Sequence, residues 1–339
     1  MSTWTLDIFY QKKDWFDVLS QLGSYDFVHT FDFHWIAREN GEGEPVVFVV
    51  KDTNGEYIAF WPALKREIIG TSLFDLTSVY GYAGPLFKYE EYSDRCLSLI
   101  FSAMREMGVV ALFSRMHPLF IEQIQEQALR GVQLGDVIVI DAQQQSPLVS
   151  YRSGHRYEIR KALASGLQIH VDHQCDGMNE FVEIYQQSMR DLDASDYYLF
   201  NANYFNVIKE ATDFKAFLIF AELDGKKIAA SMFFVTGKVM QYYLSGTVDA
   251  YKKISPSKAI IAKAHELAIA MGVEKIILGG GVGSKEDPLF KFKNGFSELR
   301  MPFYIFKKII NHQAYTQLCE AKGIDHQATA YFPAYRAPQ

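Results

Sequence analysis

Short apolar runs follow one another along this chain, and glycine, asparagine or proline separates them. Strand-like alternation is common, and Asn54-Gly55 between two such runs is a strong signal for a β-hairpin. A longer run with helical periodicity ends at Gly108, which is typical of a helix C-terminus. In the first half we predict strands at residues 4–10, 45–51, 57–65, 73–79 and 109–113, and helices at 14–22, 92–107 and 118–129.

The same order of elements returns in the second half: a hairpin, a third strand, a helix and a further strand. Both helices run into the same tripeptide, Met107-Gly108-Val109 in one half and Met271-Gly272-Val273 in the other. We therefore predict an internal repeat of an α+β domain, because each half combines a hairpin with a helix that crosses to a neighbouring strand. Gln143-Gln-Gln-Ser-Pro147 interrupts the pattern, so the predicted domains are residues 1–145 and 146–339. The predicted elements of the second half are strands at 217–223, 227–235, 239–244 and 274–278, and a helix at 256–271.

Composition narrows the class of protein. A chain of 339 residues suggests two domains, and 49% apolar with 15% aromatic residues is typical of folded rather than disordered proteins. No apolar run reaches the roughly 18 residues of a membrane span, and no secretory signal is visible, so we expect no transmembrane segment. Three scattered cysteines fit a reducing, cytoplasmic setting, and the net charge of −6 argues against a DNA partner. His170-Val-Asp-His173 has no third ligand at metal spacing, so we predict no metal site.

The segment 278–296 carries the most specific chemical signal. Leu278 ends a strand and runs into Gly279-Gly280-Gly281. Glycine runs after a strand let the backbone approach a ligand closely. A short cationic turn with Lys291 and Lys293 follows. The alternative interpretation is a flexible loop in front of a packed, Phe-rich segment.

The spacing Gly-Gly-Gly-x-Gly, followed by Asp-Pro-Leu-Phe-x-Phe-Lys-x-Gly-Phe, resembles the C-terminal signature of the FemAB-like acyltransferases. These proteins are tandem relatives of the GNAT acetyltransferase fold. The resemblance implies an α+β fold of two GNAT-like domains, with mixed, mostly antiparallel sheets and flanking helices. It also implies transfer of an aminoacyl or acyl group to an amine or hydroxyl of a cell-envelope precursor, either a peptidoglycan precursor or a surface-polysaccharide sugar. The alternative is a degenerate GNAT pair that binds a ligand or serves as a scaffold without catalysis.

The resemblance also suggests catalytic roles. Lys293 lies where the family's motif has an essential lysine, so we expect its ammonium to stabilise charge that develops during transfer. Gly280 and Gly281 are expected to bind substrate beside it. Tyr243 is a candidate hydrogen-bonding residue, and Asp249 is the nearest candidate for a base.

A basic segment is the first candidate for acceptor binding. Arg152, Arg156 and Arg160 are spaced four apart, so a helix places them in one stripe, with Lys161 beside it. The surrounding sequence resembles the FemAB-like element R-x-x-I-R-K-A-x-x-x-G, which implies that Arg156, Arg160 and Lys161 bind a phosphate-bearing acceptor. A solvated helix face is the alternative.

A second acceptor element is Tyr80-Gly-Tyr-Ala-Gly-Pro85, at the end of the third predicted strand. It resembles the Tyr/Gly-Gly-Pro element that lines the acceptor cleft in FemAB-like families. Tyr80 and Tyr82 would then stack on a sugar or uracil ring, whereas packing in the core is the alternative for one of them.

The junction Lys253-Ile-Ser-Pro-Ser-Lys258 concerns the acyl donor. In GNAT enzymes that use acetyl-CoA, backbone amides here bind the pyrophosphate, but Pro256 removes one amide. We expect Pro256 at the first helical position with Ser255 as its cap. The expected donor-binding residues are Ser255, Ser257 and Lys258. We expect no permanently bound cofactor, because the donor is a co-substrate: aminoacyl-tRNA, or a thioester of CoA or an acyl carrier. The expected partner is a nucleotide-sugar or a lipid-linked envelope precursor, and tRNA stays open.

Overall fold

The hairpin signal at residues 52–55 forms a tight turn in the computed structural model, which describes residues 3–192, 199–325 and 327–338. Asp52 accepts hydrogen bonds from the backbone N–H groups of Asn54 and Glu56, at 2.8 and 2.9 Å, and so fixes the turn. The strands on either side pair in antiparallel register.

The described residues form both strands and helices, and runs of consecutive strands occur in each half of the chain. The strands are β1 Thr5–Phe9, β2 Glu44–Lys51, β3 Tyr57–Glu67, β4 Phe74–Thr77, β5 Leu86–Phe87, β6 Val109–Arg115, β7 Val132–Asp141, β8 Gln168–Asp172, β9 Lys215–Leu223, β10 Lys226–Thr236, β11 Val239–Thr247, β12 Lys275–Gly279 and β13 Arg300–Ile309. The helices are α1 Lys12–Leu22, α2 Phe31–Glu39, α3 Ser93–Glu106, α4 Gln127–Arg130, α5 Ser153–Ala164, α6 Met178–Asp191, α7 Ala202–Glu210, α8 Pro256–Ala270, α9 Pro288–Lys293 and α10 His312–Ala321.

The chain divides into two units: unit 1 comprises residues 1–134 and 302–339, and unit 2 comprises residues 135–301. In unit 1 the strand order is β1-β2-β3-β4-β6-β13, with β5 on β3. All neighbours are antiparallel except β4 and β6, which α3 connects in parallel. Continuous apolar runs bury both faces of β2, and α3 packs its apolar side over the sheet.

Unit 2 has the strand order β8-β9-β10-β11-β12-β7. Again all neighbours are antiparallel except one pair, β11 and β12, which α8 connects. The core of this unit lies between the sheet and α5 and α8, and it is built from β-branched and aromatic side chains such as Ile140, Phe233 and Ile260.

The predicted repeat and the predicted α+β class are confirmed, because both units have four antiparallel strands, one parallel neighbour and one antiparallel sixth strand. The equivalent helices α3 and α8 end at the matching tripeptides. Gly108 and Gly272 adopt φ of 83° and 73°, a left-handed backbone that favours glycine after a helix.

The division of the chain differs from the predicted domains, residues 1–145 and 146–339. The sixth strand of unit 2, β7, precedes the other strands of unit 2 in the sequence. The sixth strand of unit 1, β13, begins at Arg300, after the other strands of both units. Local pattern carries no information on which distant strand completes a sheet. The helix predicted at 118–129 is wrong: a short 3-10 turn at Ile121–Gln123 and α4 take its place, separated by extended backbone at Ile124 and Glu126.

Within the part of the chain that the structure describes, every helix is too short or too polar to cross a lipid bilayer.

Candidate functional site

The glycine run after β12 is closely packed against its surroundings. A β-carbon on Gly281 would lie 2.1 Å from the Lys285 carbonyl oxygen and 2.3 Å from an oxygen of Asp287, so only glycine fits. A β-carbon on Gly280 would lie 3.0 Å from the Asp136 carbonyl oxygen. The glycine run therefore packs its backbone closely against the backbone of Asp136 and Lys285. The carbonyl oxygen of Gly280 is directed at Lys293.

Asp287 joins this loop to the helix that follows. One carboxylate oxygen accepts from the N–H of Phe290 at 2.8 Å and caps α9, and the other accepts from the N–H of Val282 at 3.1 Å. Pro288 occupies the first helical position, where the lack of an N–H group costs no helical hydrogen bond. The loop and α9 thus form one hydrogen-bonded segment.

Lys293 ends α9 and is buried, with 8% of its surface exposed. Its Nζ donates a hydrogen bond of 2.7 Å to the carbonyl oxygen of Gly280. Burial lowers the pKa of Lys293 from 10.5 to about 8, although the nearby Asp287 carboxylate favours the charged form. The predicted residues Gly280, Gly281 and Lys293 therefore come together, and they place a desolvated ammonium at the end of β12.

His155, which sequence reasoning missed, connects α5 to this turn. Its Nε2–H donates to the carbonyl oxygen of Phe292 at 2.8 Å, and its ring lies so close to Gly295 that a β-carbon there would be 2.2 Å away. Burial lowers the pKa of His155 to about 4, so the ring is neutral near pH 7. Phe296 packs edge-on against the same ring. A lone histidine inside a basic segment gave no local signal for this role.

The start of α8 lies against α5 and is occupied by a carboxylate of the chain itself. Glu158 accepts a 2.6 Å hydrogen bond from the Ser255 hydroxyl and forms an ion pair with Lys258, whose side chain is largely buried. Hydrogen bonds from Lys258 and Ser255 lower the pKa of Glu158. Ser257 instead shares a 2.8 Å hydrogen bond with Thr247.

Pro256 stands at the first helical position as predicted, but the prediction that Ser255 caps α8 is wrong. Ser255 adopts φ 54° and ψ 48°, and its side chain makes no capping hydrogen bond. The Ser255 hydroxyl donates to Glu158 instead. This hydrogen bond accompanies a left-handed backbone, which is uncommon for a residue other than glycine.

The predicted basic stripe lies on α5, with Arg152 at its N-cap position. Arg156 donates through Nη1 to the carbonyl oxygens of Val149 and Tyr151, at 3.2 and 2.8 Å, and so supports the turn before the helix. Arg160 and Lys161 are exposed on the helix surface, and among the described residues neither forms a side-chain hydrogen bond or an ion pair. Their predicted role in acceptor binding stays a prediction.

Tyr243 lies within β11, and Asp249 begins the 3-10 turn that leads from β11 to α8. The Tyr243 hydroxyl shares a short hydrogen bond with the hydroxyl of Tyr204, and its ring packs on Phe234. Asp249 is exposed and pairs with Lys252 at 2.8 Å. In the ranges that the structure describes, no ion pair or hydrogen bond joins Asp249 to Lys293, so its role as a base stays a prediction.

The second acceptor element lies in unit 1, in the irregular segment after β4. Both Tyr80 and Tyr82 are half-buried. The ring of Tyr82 packs edge-on against Phe303, with 5.2 Å between centroids, and lies 6.4 Å from the ring of His117.

Residues 149–291 match the family profile described as an acetyltransferase (GNAT) domain. Among solved structures, FemX superposes with a TM-score of 0.68 at 11% identity, covering 92% of this chain and 99% of FemX. L-PGS from Bacillus licheniformis superposes with a TM-score of 0.59 at 12% identity, covering 93% of this chain and 97% of L-PGS. No curated protein sequence matches this chain. Among the described residues, no three histidine, cysteine or acidic side chains are grouped to hold a metal ion.

Proposed function

We propose that this chain, whose residues 149–291 match a GNAT acetyltransferase domain and whose fold is similar to that of FemX, is an acyltransferase that moves an aminoacyl or acyl group onto a cell-envelope precursor. The preferred acceptor group is an amine, and the second choice is a hydroxyl. The precursor is a peptidoglycan precursor or a surface-polysaccharide sugar, presented as a nucleotide-sugar or on a lipid carrier. The proposal rests on one observation above the others, the buried Lys293 at the end of α9, whose ammonium contacts the glycine run at Gly280.

The proposed reaction is direct attack of the acceptor amine on an activated ester or thioester carbonyl. Negative charge then develops on the carbonyl oxygen and passes to the leaving group. A desolvated ammonium stabilises such charge far better than a hydrated one, because little solvent screens it. Lys293 supplies this ammonium, and its Gly280 contact holds the side chain in place before the substrate arrives. No covalent enzyme intermediate is needed.

The lowered pKa of Lys293 suits a second task. With a pKa of about 8, the ammonium is mostly protonated near neutral pH yet gives up a proton more readily than an ordinary lysine. Lys293 can therefore donate a proton to the departing alkoxide or thiolate. The acceptor amine would lose its proton to solvent or to a base, for which Asp249 remains our candidate.

The remaining assignments follow from exposure and charge. Arg160 and Lys161 are exposed on α5 and form no ion pair with any described residue, which fits a phosphate-bearing acceptor or tRNA. The donor is a co-substrate, either aminoacyl-tRNA or a thioester of CoA or an acyl carrier. We place the reaction in the cytoplasm, a setting that the free cysteines Cys96, Cys175 and Cys319 support.

The substitution Lys293→Met tests the proposal, because it keeps the stem of the side chain and removes the charge. We expect single-turnover transfer to fall by about a hundredfold or more, the usual scale for losing one electrostatic contact in a catalytic site. Affinity for the acceptor falls less, since the contact strengthens in the transition state. The donor and acceptor pair is first identified by mass spectrometry of ligands that copurify with the protein.

Lys291→Met is the matched control, because Lys291 is exposed on the same helix, two residues away. It should leave the single-turnover rate unchanged. Equal rates for Lys293→Met and the unaltered protein would show that Lys293 is not catalytic, and the chain would then be a ligand-binding or scaffolding GNAT pair.

A further inference from the structure

The start of α8 has three features that set it apart from an open anion site. Pro256 lacks an N–H group, so one backbone donor is missing. Ser255 holds a left-handed backbone that turns its hydroxyl to Glu158. The carboxylate of Glu158 also pairs with Lys258, the one cation in the first turn of the helix.

These contacts place a fixed negative charge where a helix N-terminus and a buried lysine would otherwise favour a phosphate. Lys258 is only 9% exposed, so its charge is neutralised mainly by the partner it already has. A diphosphate that approached the same donors would have to displace Glu158 or lie beside it, and either arrangement is unfavourable. His155, one turn before Glu158 on α5, is neutral and supplies no compensating charge.

We propose that Glu158 is a specificity-determining residue, a built-in anion that closes the start of α8 to the diphosphate of a CoA-type donor. This inference rests on the proposed function and narrows its donor. The acyl group reaches the enzyme on a carrier that is recognised without a diphosphate at Ser255 and Lys258. Glu158 acts on binding through its negative charge and by accepting hydrogen bonds from Ser255 and Lys258, and it takes no part in the chemical step.

The test is equilibrium binding of inorganic pyrophosphate and of CoA, measured by calorimetry on the full chain with Glu158→Gln. Glutamine keeps the size of the side chain and removes its charge, so Lys258 becomes free to pair with an added anion. We expect the unaltered protein to bind pyrophosphate weakly and the variant to bind at least about tenfold more tightly, a gain of about 1.4 kcal/mol. Glu158→Gln combined with Lys258→Met should lose that gain, because the gain depends on the released ammonium.

Glu183→Gln is the control, since Glu183 is exposed on α6 and loses the same charge. It should bind pyrophosphate as the unaltered protein does. If removing Glu158 prevents folding, Ser255→Gly provides a second variant: glycine suits φ 54°, and the change removes one of the two donors that hold Glu158. We expect Ser255→Gly to bind pyrophosphate more tightly than the unaltered protein, by less than Glu158→Gln.

Low-micromolar binding of CoA or pyrophosphate by the unaltered protein would overturn the proposal, as would equal affinities for the unaltered protein and both variants. Neither measurement requires turnover. Failure of this inference is therefore distinguishable from failure of the proposed transfer reaction, which the Lys293 variant tests.

Discussion

At the residue scale, Lys293 combines burial with a titration near physiological pH. Because its pKa is lowered to about 8, a role as a cation predicts that turnover falls as pH rises through about 8. A role as a neutral base would give the opposite slope. The rate of the transfer step, measured between pH 6.5 and about 9.5 at saturating substrate, separates the two roles. A rate that keeps rising above pH 8 would contradict the cation role.

The same pKa makes a statement about stability. Below pH 8 Lys293 is protonated in the folded and in the unfolded chain, so the full cost of burying the charge is present. Between pH 8 and about 10.5 the unfolded chain binds more protons, so the free energy of unfolding rises with pH. Lys293→Met removes that pH dependence. We expect the variant to be more stable at pH 7 by a few kcal/mol, because each unit of pKa shift corresponds to about 1.4 kcal/mol. Denaturant unfolding at pH 7 and pH 9.5 measures both effects, and a large loss of stability at pH 7 would show that the hydrogen bond to Gly280 outweighs the burial of charge.

Sequence reasoning at this scale found the residues whose own chemistry is unusual. A glycine run, an Asp-Pro pair and a lysine at fixed spacing are visible in the chain without its fold. Glu158 and His155 were not identified, because their roles depend on partners that are distant in sequence: Lys258 is 100 residues from Glu158, and Phe292 is 137 residues from His155. Such pairings are fixed by packing of α5 on the rest of unit 2, and no local pattern encodes them.

At the element scale, α5 separates two arginines that looked equivalent in the sequence. Arg156 is tied to the carbonyl oxygens of Val149 and Tyr151, whereas Arg160 is exposed. We expect Arg156→Ala to lower stability by about 1–3 kcal/mol through hydrogen bonds lost from a charged donor. Arg160→Ala should leave stability within about 0.5 kcal/mol and weaken binding of a phosphate-bearing acceptor instead.

Thermal unfolding and acceptor titration on each single variant decide this pair of predictions. An Arg160→Ala protein with unchanged acceptor affinity would make α5 a solvated helix face. An Arg156→Ala protein that keeps its melting temperature would show that the two carbonyl contacts contribute little.

Element boundaries were predictable where a strong stop signal and an amphipathic run coincided, as at Gly108 and Gly272. The wrong helix at 118–129 had the apolar residues of a helix without that coincidence. Phe120, Ile121 and Ile124 are all buried, yet from an irregular segment that needs no 3.6-residue period. Burial alone therefore does not specify a helix.

At the scale of the whole chain, each unit completes its sheet with a strand from outside its own contiguous repeat. The strand β7 comes directly after the first repeat in sequence but pairs with β12 in unit 2. The strand β13 comes after the second repeat but pairs with β6 in unit 1. The shared order of a hairpin, a third strand, a crossing helix and a further strand was predictable from local pattern, because these elements are close in sequence, whereas β8 was not predicted. The sixth strands were not predictable, since their pairing has a high sequence separation.

This arrangement predicts that unit 1 depends on the C-terminal segment. A chain ending at Met301 lacks most of β13, whose Phe306 packs on Trp61, and it lacks α10. It also removes Tyr335 and Arg336, which donate to the fully buried Asp75 at 3.0 and 2.6 Å. Removing partners from a buried carboxylate costs about 3–5 kcal/mol, and the loss of a sheet strand adds to that cost.

We expect hydrogen exchange followed by mass spectrometry to show fast exchange in β2, β3 and β6 of the shortened chain. Residues 135–301 should keep their protection, because every strand of unit 2 is still present. A chain ending at Ala337 is the control, since it retains the contacts of Arg336 and should exchange like the full chain. If β2, β3 and β6 stay protected without residues 302–339, the first repeat folds on its own, and the domain boundary near residue 145 that the sequence suggested describes the folding units better than the sheet does.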